Sequence, residues 1–315
     1  MKQGLILAVL LVVFVSARAQ QDPQFTQWMF DQVSFNPGAA GINGMHCVSM
    51  FYRDQWDGFD RDPKTGLFNY QGRVGSMPIG VGLSLFRESL GQERNTMFKV
   101  SGNYQLPIGS NVLSAGLSLG GYQKLLGNQW IAIDPVSQDN AINDDERSAT
   151  SFDLGLGVMF ANPGKYYAGL SATHLTGQDL KDLNIKMTQH IYIMGGYNFD
   201  LTSSLKLRSN LLAKSDLNVM TFDLNANVLW NDMVWAGVSY RLQDAIAPMA
   251  GFQMSWVGGS GYSKIPQKVM LGYSYDATTS EIRTYSAGSH EIFVTYCFNI
   301  ISNPPQNRHA NPRFL

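Results

Sequence analysis

From Met45 to Phe298 apolar and polar residues alternate in short runs separated by turn residues, the period of two expected of β-strands with a different solvent on each face. The run Ser286–Phe298 is the clearest case. Ile292, Val294, Tyr296 and Phe298 fall on one side, and Glu291, Phe293, Thr295 and Cys297 on the other. One such strand suits a soluble sandwich as well as a membrane barrel, so the decision rests on the others. The spacing predicts about 14 strands, each near the length that a tilted membrane-crossing strand needs. They cover 45–55, 66–76, 78–87, 94–106, 110–123, 149–160, 164–176, 187–199, 204–215, 218–230, 232–242, 246–257, 266–276 and 286–298.

Several strands present an unbroken apolar face, such as Ile79, Val81, Leu83 and Leu85, or Phe152, Leu154, Leu156, Val158 and Phe160, or Val234, Ala236, Val238 and Tyr240. Opposite faces carry Asn69, Gln71 and Arg73, then Lys206, Arg208 and Asn210, then Asp223, Asn225 and Asn227. The outside is therefore suited to hydrocarbon and the inside to charges and amides. Only 164–176 gives no contrast between its faces. Connections after even strands are short (Ser76-Met77, 161–164, Asn231-Asp232). Those after odd strands are mostly longer (56–65, 124–147, 176–186, 277–285), as in a barrel whose two ends lie in the periplasm. Val257–Ile265 and Lys214–Asn218 depart from that asymmetry. Tyr104, Tyr122, Tyr166, Trp230, Trp235 and Trp256, near strand ends, fit the aromatic girdles of such a barrel.

Two flanking segments break the alternation. Residues 1–19 have a basic start (Lys2), an apolar run Leu5–Val15 and small residues at Ala17 and Ala19, and read as a cleaved secretory signal. The run is too short to span a bilayer as a helix, and no Cys follows it to take a lipid. Residues 20–44 carry Phe25, Trp28, Met29, Phe30, Val33 and Phe35 ahead of the turn-rich Asn36-Pro37-Gly38-Ala39-Ala40-Gly41. Phe25, Trp28, Met29 and Val33 are at helical spacing, which predicts a short helix packed at or in the barrel mouth, with an irregular plug as the alternative. Residues 299–315 form a Pro/Asn-rich tail.

Composition sharpens the picture. Charged residues are 15% of the 315, aromatics 12%, glycines number 31, and the formal net charge is −1. Few charges and many aromatics favour a barrel in lipid, and the balance gives no electrostatic case for nucleic acid. Two cysteines are too few for a disulfide scaffold or a zinc site.

Candidate chemistry is sparse. His290-Glu291 lacks the H-E-x-x-H frame, and neighbours on a strand point to opposite faces, so a lumenal Glu beside an interface-level His is the simpler reading. His46, His174, His190 and His309 do not cluster in sequence, and no catalytic triad can be assembled. Asp139, Asp144, Asp145 and Glu146 gather in one predicted outer loop; they lack the ordered spacing of a Ca²⁺ loop and read as a solvated acidic stretch. No enzyme, metal or cofactor is expected. Trp56 and Trp130 lie in outer loops, where each is either a partner anchor or folded over its own barrel mouth. With Asp57 and the acidic run they are the candidate contacts. Cys47 and Cys297 start the first strand and end the last, both on the lumenal side, where direct opposition in an oxidising periplasm would let them bond across the seam. The alternative is two small apolar residues separated by a register shift.

Gln21-Asp22-Pro23-Gln24-Phe25-Thr26-Gln27-Trp28-Met29-Phe30 with Asn36–Gly41, the block Tyr52-Arg53-Asp54-Gln55-Trp56-Asp57-Gly58, and Gly288-Ser289-His290-Glu291-Ile292 resemble, in order, motifs of the PorP/SprF family. Those are outer-membrane proteins of the Bacteroidota type IX secretion and gliding machinery. Gly38 stands where the family commonly has Ala, and the tail extends past the last strand. The resemblance implies a monomeric outer-membrane barrel that supports export or surface attachment of a cargo or adhesin with a C-terminal sorting domain. Its implied partners are that cargo and periplasmic subunits such as a peptidoglycan-associated lipoprotein, and outer-membrane lipid surrounds it. A channel or transporter for small molecules is the competing reading, because a polar lumen fits both.

Overall fold

A computed structural model describes residues 23–58, 60–129, 145–177, 179–180, 183, 185–258 and 265–300. The signal stretch 1–19 and tail residues 301–315 lie outside the described residues. Fourteen antiparallel strands close into a barrel: β1 His46–Asp54, β2 Lys64–Arg73, β3 Ile79–Leu90, β4 Glu93–Ile108, β5 Asn111–Leu126, β6 Arg147–Asn162 and β7 Tyr166–Thr173 in its first half. The second half is β8 His190–Asp200, β9 Leu205–Ser215, β10 Met220–Trp230, β11 Val234–Arg241, β12 Ala245–Gly258, β13 Ile265–Thr278 and β14 Ser289–Phe298. Each strand pairs with its neighbours in sequence, and β1 meets β14 to leave no edge. A two-stranded ribbon, Asp179–Leu180 with Ile185–Lys186, stands in the β7–β8 connection, where a plain loop was expected. The strand ends joined by the long connections 55–63, 127–146, 174–189 and 279–288 are all opposite the barrel's own start and finish, which marks that end as the outer one.

The two faces follow the alternation. Ile79, Leu85, Phe152, Leu156, Val234, Val238, Ile292 and Val294 are exposed to the surrounding lipid, while Asn69, Asp223, Asn225, Asn227, Glu291 and Thr295 are buried inside. The lumen is nevertheless not polar throughout. Phe51, Leu67, Phe86, Met159, Tyr192, Met194, Leu212, Leu229, Trp235, Met249 and Phe293 line an apolar middle layer. Two residues assigned to the aromatic girdle belong inside: Trp235 has no exposure, and Tyr122 packs against Ala149, Leu180 and Met187. Trp230 and Tyr104, by contrast, face outward.

The seam is in register from His46 opposite Phe298 to Asp54 opposite His290. Cys47 and Cys297 sit directly across from one another and are joined as a disulfide, their Cα atoms 4.1 Å apart. The bond lies at the periplasmic end.

Candidate functional site

The apolar lumen layer exists because the segment before β1 fills it. Residues 23–45 run from the outer end of the lumen to its periplasmic end, and Phe25, Trp28, Val33 and Phe35 are all buried. The expected helix does not form; the segment has two three-residue 3-10 turns, Trp28–Phe30 and Pro37–Ala39, and is otherwise irregular. Wall surrounds it on every side, so side chains gain burial in all directions and a one-faced helix has no advantage. Its backbone polar groups find partners in the barrel wall instead of in a helix. Lys99 Nζ donates to Ser34 O (2.7 Å), Ser171 Oγ to Phe35 O (2.7 Å), and Asn103 Nδ2 and Gln105 Nε2 to Ala40 O (2.8 and 3.0 Å).

At mid-height Phe30 stacks on Phe293 and tilts against Trp235, with ring centroids 4.9 and 4.8 Å apart. Phe25 meets Phe51 edge-on at 5.8 Å, and Phe35 meets Tyr192 at 5.4 Å. Asn36 then turns the chain by accepting from Gly38 N–H (2.8 Å) while its amide donates to Val158 O (3.0 Å). The wall is hollowed to receive this turn. A Cβ on Gly157 would come 2.1 Å from Asn36 Oδ1, and one on Gly116 would come 2.6 Å from the Pro37 backbone.

The outer end of the segment is held by charge. Arg53 faces Glu291 in register across the seam, and Glu291 accepts the backbone N–H groups of Thr26 and Gln27, each at 2.8 Å. Arg53 Nη1 reaches Glu291 (3.1 Å) and Thr26 Oγ1 (2.9 Å), while its Nη2 pairs with Asp276 (2.7 Å). Thr26 Oγ1 donates to Asp276 (2.8 Å). Arg241 completes the cluster, pairing with Asp276 (3.2 Å), Asp244 (3.0 Å) and Asp223 (3.3 Å), and donating to Thr26 Oγ1 (3.2 Å). Arg53, Asp276 and Glu291 are all but inaccessible to solvent. Charges buried to that extent persist only when paired and hydrogen-bonded, and the segment supplies part of the pairing.

Arg53 and Glu291 belong to two of the sequence blocks singled out above, and Thr26-Gln27 to the third. The fold brings all three to one point. Asp276, Arg241 and Asp223 were not singled out as a site; the only signal for them was an inward phase at the outer ends of β13, β11 and β10.

The other candidates are scattered. Trp56 is half-buried, with φ 58°, and its N–H donates to Ser289 Oγ (3.0 Å); Asp57 is exposed, and its N–H donates to Gly288 O (2.8 Å). This pair ties the first outer loop to the start of β14. Asp145 and Glu146 are exposed, Glu146 in a rim cleft with Arg61, Asp62, Lys64 and Arg94. Trp130, Asp139 and Asp144 lie outside the described residues. The histidines are less dispersed than their sequence positions imply: Thr173 pairs with His190 across β7 and β8, which brings the His174 and His190 rings to 5.5 Å. Asp153 Oδ1 lies 3.0 Å from His174 Nδ1. Among the described residues no group of three or more His, Cys, Asp or Glu is placed to hold a metal.

A family model described as "Type IX secretion system membrane protein PorP/SprF" matches residues 17–296. A comparison with proteins of curated function returns no match. Solved structures similar to this one include the Acinetobacter baumannii outer membrane protein Omp33, at 8% identity, 82% of this chain, 100% of that one and a TM-score of 0.44. Also similar are the CymD monoaromatic hydrocarbon channel (12%, 87%, 92%, 0.45) and the Ralstonia pickettii toluene transporter TbuX (10%, 87%, 93%, 0.46), in the same order of values.

Proposed function

The chain belongs to the PorP/SprF family of type IX secretion system membrane proteins and is an outer-membrane component of that system; from that premise we propose that it is a non-enzymatic interaction component with a plugged lumen. In this reading it supports export or surface attachment of proteins bearing a C-terminal sorting domain, in secretion or in gliding. One observation carries the choice over a small-molecule channel. The segment 23–45 occupies the lumen from end to end and is anchored at its outer end by Arg53, Asp276 and Glu291. A diffusion pathway would have to break that anchor, whereas an interaction component leaves it intact and works through surfaces that partner proteins reach without entering lipid. Trp56, Asp57, Trp130 and the acidic residues Asp139, Asp144, Asp145 and Glu146 are the proposed outer contacts. Deleting the gene should leave one or a few sorting-domain proteins unexported or unattached, with small-molecule uptake unchanged. Normal display of every such protein together with impaired uptake of a solute would favour the channel.

A further inference from the structure

The periplasmic end of the lumen holds a second charged site, where cations outnumber carboxylates among the described residues. Arg208 on β9 and Lys268 on β13 point into a cavity of about 270 Å³ that opens between the plug and the wall. Lys206 lies close enough to Lys268 to repel it, and the carboxylate that draws on both Arg208 and Lys268 among the described residues, Asp232, is itself paired with Lys206 at 2.7 Å. Neither Arg208 nor Lys268 forms an ion pair among the described residues.

The guanidinium of Arg208 is fixed in place. Its carbon sits 5.3 Å from the Phe30 ring centroid and 5.7 Å from that of Trp235, and its Nε donates to Asn227 Oδ1. Nη2 is buried with no acceptor. A buried donor of a charged group left without an acceptor costs free energy that a bound anion would recover. A planar fork held by two rings and an amide is already shaped for a two-oxygen anion, so little entropy is lost on binding.

We propose that this pocket takes a carboxylate from an acidic peptide segment reaching in from the periplasm, a segment of a partner protein. Arg208 supplies the fork and Lys268 a second charge. Asn198, Asn210 and Gln71 line the same space, each already hydrogen-bonded to wall or plug, and leave the remaining polar valences of Asn198 Oδ1 and Gln71 Nε2 for a peptide backbone; Met29, Tyr167 and Met270 offer an apolar wall to a neighbouring side chain. The volume falls just short of an ordinary small-molecule pocket and suits a chain tip, not a folded module. A lipid phosphate presents similar chemistry, but the barrel wall separates the pocket from the leaflet, and the headgroup would have to leave its membrane plane to enter.

Binding and conductance are measured separately, so this proposal and the plugged-lumen reading fail independently. The full-length protein in lipid nanodiscs would be titrated calorimetrically with a blocked pentapeptide carrying two aspartates around a tyrosine, and with its asparagine counterpart. The acidic peptide should bind at least tenfold more tightly than the amide one, and Arg208→Gln and Lys268→Gln should each weaken it tenfold or more. Arg61→Gln, at the outer rim, should leave it unchanged. Lys268 makes no stacking contact with the plug, so that variant decides the matter where Arg208→Gln disturbs folding. Equal affinity for both peptides, or an unaltered Lys268→Gln protein, overturns the site. Inorganic phosphate displacing the peptide at a lower concentration than acetate makes it a phosphate site and overturns the peptide assignment.

Discussion

The two ends of the lumen use the same residue types to opposite effect. At the outer end Arg53 meets two carboxylates and Arg241 meets three, with Thr26 bridging them. At the periplasmic end Arg208 and Lys268 meet none among the described residues, and Arg208 rests on aromatic rings instead. A paired buried arginine is a fixture, because breaking the pair strands the charges left behind. A buried arginine without an ion pair, held beside a cavity, still has charge to offer to an anion. The outer end thus fastens the plug to the barrel, and the periplasmic end is the proposed recognition site.

The largest expected effect tests that asymmetry. Arg53→Ala leaves Asp276 and Glu291 short of a cation and should cost about 3–5 kcal/mol, whereas Arg208→Ala forfeits mainly a cation–π contact of about 1 kcal/mol. Thermal unfolding followed by heat-dependent gel mobility would compare the two. Amide hydrogen exchange over 26–40 should rise sharply in the first variant only. Equal losses would erase the distinction between the ends.

A smaller effect separates the seam from the clasp. The Cys47–Cys297 bond closes the barrel where no plug charge is clasped, and Cys47→Ser should lower stability by about 2–4 kcal/mol. Plug exchange at Thr26 and Gln27 should stay as slow as in the parent, since their anchor lies at the other end. Loss of plug protection in this variant would mean the two ends are mechanically coupled.

The smallest effect is a pH dependence inside the plug. Burial pushes the Asp31 carboxyl up from 3.8 to about 6, against the opposing hydrogen bond from Ser34, the Lys99 charge and the Asn69 amide. Because the folded state holds this proton more tightly than the unfolded chain, its contribution is fully present below about pH 3.8 and lost as pH rises through about 6. Exchange of the plug amides should therefore quicken between pH 5 and pH 7, beyond the intrinsic change, by an amount on the order of 1–3 kcal/mol. Asp31→Asn should flatten that dependence.

Strands were legible because a wall one residue thick between lipid and lumen must alternate at every position; the phase of Cys47 and Cys297 put both inside but left the seam register open, and their direct opposition is a finding of the structure. The plug's conformation was not, since helical spacing of Phe25, Trp28, Met29 and Val33 records only that they are buried, not on how many sides. Trp235 was misplaced on the girdle because proximity to a strand end says nothing about inward or outward phase; its neighbours Val234 and Ala236 carried that information. The clasp was half legible. Thr26-Gln27, Arg53 and Glu291 stood out as motifs, but Asp276, Arg241 and Asp223 join them only through the order of β10, β11 and β13 around the barrel. The meeting of His174 with His190 likewise depends on pairing across a long connection.

Planar-bilayer recording of the purified barrel tests the plugged lumen most directly, with the parent compared against a form lacking residues 23–40. The account predicts no stable large conductance from the parent and steady steps from the shortened form. Steady porin-like steps from the parent would contradict it.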